Sequence, residues 1–391
     1  MAGPLPCRIG SLILALVVLL GASFCASACD FCAMQDRTLT KQVNESSLVL
    51  FGSLTKADET ADTTILQIDT VVKKHEILGK DKSITLARYI PINLNPEKNK
   101  DTKFLVLCDV FKGKIDPLFL VPCKSESDIA KYLKGALDVK DREPLARLRF
   151  FYPYLDNAEQ EVSNDAFKEF ANASNKDIAA ISKNADPDKL VKWLEDSNTP
   201  PLRFGVYGMM LGYCGKESHA KHLRALLDDP HKRLSGMDGL LAGYVLIEPK
   251  AGWAYLRELL KDDKKEFMTR YAGLRAVRFF HDNGHDLIPE KDIVTAMTLL
   301  LDQSDIADLA IEDLRKWSCW DLADRVLALN GKKSHDIPII RRSILRYALQ
   351  CPDKKTQEFV ADMRQKDKQL VEDAEELLKL ETPPPAKSAG K

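Results

Sequence analysis

Two domains are predicted, a small antiparallel β barrel followed by an all-α solenoid of helix pairs, with an export signal in front of both. Three observations predict this. Small residues at Ala26-Ser27-Ala28 close an apolar segment just before Cys29 and Cys32. Five short β-rich runs with polar connectors fill residues 47–121. From Pro144 onward the apolar period becomes helical, and the chain repeats itself.

Residues 1–28 read as a secretory signal: Arg8 precedes the apolar run 9–20, and Ala26 and Ala28 stand where signal peptidase reads small side chains. The uninterrupted run is shorter than the roughly 20 residues that a bilayer span needs. Export to the periplasm or the extracellular space is therefore expected, with cleavage before Cys29. Lipid anchoring at Cys29 is the alternative, although position 26 holds Ala where a bacterial lipobox usually has Leu.

Export changes what cysteine means. Of nine cysteines, Cys7 and Cys25 leave with the signal, and Cys29, Cys32, Cys108, Cys123, Cys214, Cys319 and Cys351 remain. The first four, confined to the amino-terminal region of an oxidising-compartment protein, read as two disulfides. Four cysteines allow three pairings, and the sequence does not choose among them. The last three lie singly in apolar helical segments and read as small buried hydrophobes.

A chain of 391 residues exceeds one comfortable core. Lysine and arginine number 57 against 58 acidic residues, so the basic excess of a nucleic-acid binder is missing. No second apolar segment is long enough to span a membrane. Residues 381–391, rich in proline and small residues, are expected to be a disordered tail.

Residues 29–138 form the expected β domain. Its strands are placed at 47–54, 63–72, 83–90, 103–110 and 117–121, with Gly52 marking a bulge and a capped helix following at 125–133. Cysteines at the mature amino terminus, a first strand reading Val49-Leu50-Phe51-Gly52, and later cysteines inside the fourth strand and just after the fifth resemble a netrin-like domain. That is the OB-type barrel shared with tissue inhibitors of metalloproteinases. The resemblance implies the pairs Cys29–Cys108 and Cys32–Cys123. It also implies metalloprotease inhibition as a further alternative function, although the inhibitors carry Cys-x-Cys where this chain has Cys29-Asp30-Phe31-Cys32. A thioredoxin-like dithiol would sit after a strand and open a helix, which this pair does not do. Zinc binding by the four cysteines is less expected in an exported protein.

Residues 140–380 form the expected helical array. Helices opening near Arg203, Gly236, Arg270, Ala307 and Arg341 are spaced by 33, 34, 37 and 34 residues, with a second helix between each. An earlier, degenerate pair covers 165–170 and 189–194. The sequences Leu226-Leu227-Asp228, Leu259-Leu260-Lys261-Asp262 and Leu300-Leu301-Asp302, with Arg270 and Arg341 opening the following helices, resemble HEAT-type repeats. Gly236 and Ala307 depart from that arginine.

No Gly-x-Ser-x-Gly, Walker-type or dinucleotide motif is present, and no cofactor or resident metal is expected. His219 and His222 share a helical face, with His231 nearby, and His281 and His285 flank Asp282-Asn283-Gly284. They carry the opposing class, an extracytoplasmic metal-dependent hydrolase, but a zinc site needs three or four supported ligands. The expected function is non-catalytic protein binding. In HEAT-like arrays the second helix of each pair lines the concave face, which nominates Arg275, Arg278, Arg315, Arg342 and Arg346 as a positive strip for an acidic partner. The competing expectation is that each arginine pairs with a carboxylate of its own repeat.

Overall fold

The computed structural model describes residues 37–91, 102–229, 236–284 and 286–381. The signal segment, Cys29, Cys32, His231, His285 and residues 382–391 lie outside them.

Five antiparallel strands build one sheet: β1 (Leu48–Asp58), β2 (Thr63–Lys73), β3 (Ser83–Leu86), β4 (Thr102–Phe111) and β5 (Lys114–Lys124), in the order β3-β2-β1-β4-β5. The two-residue turn Lys112-Gly113 has positive φ at both positions, 49° and 72°, the geometry that matches the twist of paired strands. At Gly52 the β1–β2 register shifts, and an added Cβ would lie 1.9 Å from the Gln67 carbonyl oxygen. The expected bulge is there, and only glycine fits it. Barrel closure is not seen among the described residues. The sheet stays open, with β3 and β5 as its edges, which approach each other without forming a ladder.

Both faces of the sheet are apolar. Leu48, Leu50, Leu66, Leu86, Val106 and Cys108 bury one face among themselves and Leu78. Val49, Phe51, Val72, Leu105, Leu107 and Cys123 face the other way, onto helices. That second face is continuous with the helical core, so no polar seam separates sheet from helices.

The helices are α1 (Leu39–Glu45), ahead of the sheet, then α2 (Ile129–Val139), α3 (Pro144–Phe151), α4 (Gln160–Ala171), α5 (Asn175–Ser182), α6 (Pro187–Glu195), α7 (Phe204–Cys214) and α8 (Glu217–Asp228). They continue as α9 (Met237–Ile247), α10 (Pro249–Lys261), α11 (Phe267–Asn283), α12 (Glu290–Thr298), α13 (Ala307–Lys316), α14 (Ala323–Leu327), α15 (Pro338–Gln350), α16 (Lys354–Lys366) and α17 (Lys368–Glu381). Proline opens α3, α6, α10 and α15, where its missing N–H has no intrahelical acceptor to lose. Helix α1 is tied down from afar. The Asp165 carboxylate of α4 accepts from Thr40 N at 3.1 Å, from Thr40 Oγ1 at 2.5 Å and from the Tyr132 hydroxyl of α2 at 2.8 Å.

Helices alternate in their contacts. Contacts run from α5 to α7, α7 to α9 and α9 to α11, and again from α13 to α15 and α15 to α17, while α8, α10, α12, α14 and α16 each pack against members of these rows. Apart from Asp238 on α9, helices α7 and α9 are apolar on nearly every side and largely buried, as an enclosed helix must be. Glycines let them touch. A Cβ on Gly239 would lie 2.1 Å from the Gly205 carbonyl oxygen, and one on Gly243 would lie 2.1 Å from that of Gly208.

Candidate functional site

The arginines singled out from the sequence lie on helices α11, α13 and α15, and four of them are ion-paired. Arg275 Nη1 is 2.8 Å from Asp238 Oδ2 on α9. Arg278 Nε donates to Asp313 Oδ2 at 2.7 Å, joining α11 to α13. Arg315 is 3% exposed; its Nε donates to Glu312, its Nη1 to Gln350 Oε1 on α15 at 2.6 Å, and its Nη2 to Glu381 at the end of α17 at 2.8 Å. Arg346 meets Glu312 at 3.0 Å and also donates to Glu381. Arg342 alone of the five is exposed and has no such contact among the described residues.

Apart from Arg315–Glu312 within α13, these contacts bridge one helix to another. Four of the bridges share one sequence offset: Arg270 to Asp305, Arg278 to Asp313, Arg315 to Gln350 and Arg346 to Glu381 are each 35 residues apart. The carboxylates follow their surroundings. Burial pushes the Asp238 and Asp313 carboxyls above the ordinary range, with Arg275 and Arg278 acting against it. Hydrogen bonds from Arg270 hold Asp305 below that range. At Glu381 burial raises the value, but the bonds from Arg346 and Arg315 outweigh it and the carboxyl sits low.

The acidic partners were not singled out from the sequence. The 35-residue offset that leads from Arg270, Arg278 and Arg346 to a carboxylate is not among the helix spacings of 33, 34 and 37 read from the sequence.

The histidines serve separate local contacts. His219 is buried, its Nδ1 accepting from Lys216 N at 2.8 Å and its Nε2 lying 3.2 Å from Asp188. His222 bonds Glu195 at 2.7 Å, and His281 bonds Asp282 and stacks on Trp317 with centroids 4.0 Å apart. Among the described residues no three His, Cys, Asp or Glu side chains are grouped to hold a metal ion.

Cys108 and Cys123 are buried on opposite faces of the sheet. Burial pushes their thiols up to about 12 and about 11. No disulfide joins described residues; the partners that the resemblance implies, Cys29 and Cys32, lie outside them.

No helix among the described residues is long and apolar enough to cross a membrane. Compared with known proteins, the chain matches no family model, and no curated protein or solved structure is detectably similar to it.

Proposed function

We propose that the chain is an exported, non-catalytic scaffold that binds another protein on the concave face of HEAT-like repeats, behind a netrin-like domain of OB type. The observation that carries the repeat reading is the recurring 35-residue offset of the inter-helix polar contacts. Equivalent units stacked side by side return the same contact once per unit. The offset is also close to the helix spacing in the sequence. Support for the OB-type reading comes from the apolar cluster around Leu48, Leu50 and Val106, the bulge at Gly52 and the approach of the edge strands β3 and β5.

With Arg275, Arg278, Arg315 and Arg346 already paired and several of the charges buried, this face offers exposed Arg342 among mostly neutralised groups rather than a bare positive strip. A partner of mixed charge fits it, with an acidic group placed opposite Arg342. The test is affinity capture from the native cell envelope with the wild-type chain and with Arg342→Glu. Arg342 is exposed and structurally unencumbered, so the variant should melt like the parent yet lose the partner. Equal capture by both would refute binding at this face.

A further inference from the structure

Where the sheet meets the first helices, α1, the end of α2, α3 and α4 enclose a groove of about 600 Å³, a size typical of small-molecule sites. Arg37, Lys41, Lys140 and Arg147 line it against one carboxylate, Glu169, on a chain whose formal net charge is −1. Thr38, Thr40, Asn44 and Asn172 supply further polar lining. Lys73 adds charge nearby, its Nζ donating to the Asn44 and Ser46 carbonyls at 2.5 and 2.6 Å; burial first, and then Lys140, lower its affinity for a proton.

The internal neutralisation is incomplete. Arg147 Nη2 donates to Glu169 Oε2 at 2.7 Å, but Arg147 Nε is buried with no hydrogen-bond partner. A buried guanidinium N–H without an acceptor is rare in folded proteins and calls for one. Arg37 pairs with Glu45. Lys41 has no carboxylate partner among the described residues, and Lys140 only reaches Asp141 at 4.0 Å.

We propose that this groove binds a compact oxyanion carrying two or more negative charges, a phosphate or sulfate group. Arg147, whose side chain is partly exposed in the groove, Lys41 and Lys140 supply the donors, and Glu169 holds one edge of the guanidinium. The planar fork of arginine suits such an anion, and the lysines add point charge. The site is separate from the face assigned to the protein partner, so the two readings stand or fall apart.

The test is thermal melting of the full chain titrated with inorganic pyrophosphate, with ionic strength held constant by chloride. A ligand that binds only the folded state raises the melting temperature in a saturable way, which is the result expected. Lys41→Gln with Lys140→Gln, both at exposed positions, should fold normally and weaken the half-saturating concentration at least about tenfold, and Arg147→Lys should weaken it similarly. Titrations with inorganic sulfate and with O-phosphoserine separate a free anion from a group carried on an organic molecule; saturation by either supports the site. Pyrophosphate acting no differently from chloride, or the double variant saturating like the parent, would overturn it.

Discussion

Arg278 on α11 and Asp313 on α13 meet at 2.7 Å, and Arg275, one turn earlier, meets Asp238 on α9 at 2.8 Å. One helix thus holds its neighbour on either side through two cations spaced three residues apart. The carboxylates are the buried members: Asp238 and Asp313 are each 4% exposed. Removing the arginine therefore strands a charge.

Arg275→Glu should lower stability by about 3 kcal/mol, because it sets a second carboxylate against buried Asp238, whereas Arg342→Glu should change it by less than about 0.5 kcal/mol. Urea unfolding of the two variants checks this. Equal loss in both would mean that the Arg275–Asp238 contact contributes nothing.

Leu274 faces the core of α11 with no exposure. Leu274→Asp buries an unpaired carboxylate and should cost more than about 4 kcal/mol, unfolding the neighbouring helices. A circular-dichroism melt coinciding with the parent's would show the side chain to be outside the core.

Gly243→Ala should lower stability by about 3 kcal/mol, the upper end for overpacking, because the new methyl would meet backbone rather than a side chain that can turn aside. Differential scanning calorimetry measures the loss. An unchanged melting temperature would mean that α7 and α9 separate without penalty.

Asp305 gives a pH signature. Its folded carboxyl is held below the ordinary value by Arg270, so its contribution is fully present above about pH 4 and is lost as pH falls through the folded value. The stability difference between the parent and Asp305→Asn should therefore shrink between about pH 5 and about pH 2. A difference that stayed constant across that range would remove Arg270 as the cause.

Under non-reducing conditions peptide mapping should recover Cys29 with Cys108 and Cys32 with Cys123, and leave Cys214, Cys319 and Cys351 as thiols. Because Cys108 and Cys123 point to opposite faces of the sheet, a peptide joining those two would contradict the structure.

What the sequence disclosed and what it hid follow from the range of the forces involved. Helix α11 was legible because Ala272, Leu274, Ala276 and Val277 put their own burial into a local pattern, and Gly52 announced its bulge by interrupting a β-rich run. Helix α1 was not. It buries only Thr40 and Val43, and Asp165, which anchors it, is 125 residues away. The expected first and fifth strands stopped short because the polar ends of β1 and β5 extend on ladder hydrogen bonds rather than on burial, whereas the third, expected over 83–90, ends at Leu86, where its ladder with β2 ends. The arginines were found, but their partners were hidden, since an aspartate near a helix end carries no local mark of being buried.

The glycine contact between α7 and α9 also has a mechanical meaning. At Gly239 and Gly243 the backbone of α9 lies against the Gly205 and Gly208 carbonyls of α7 with no side chain between them, leaving little room for one helix to slide on the other. The later joints differ, because Glu312 and Glu381 each serve both Arg315 and Arg346, so a bond can be handed from one cation to the other as the helices shift. The carboxyl-terminal joints are thus held by directional polar contacts that can exchange partners, where the α7–α9 joint is held by backbone packed on backbone.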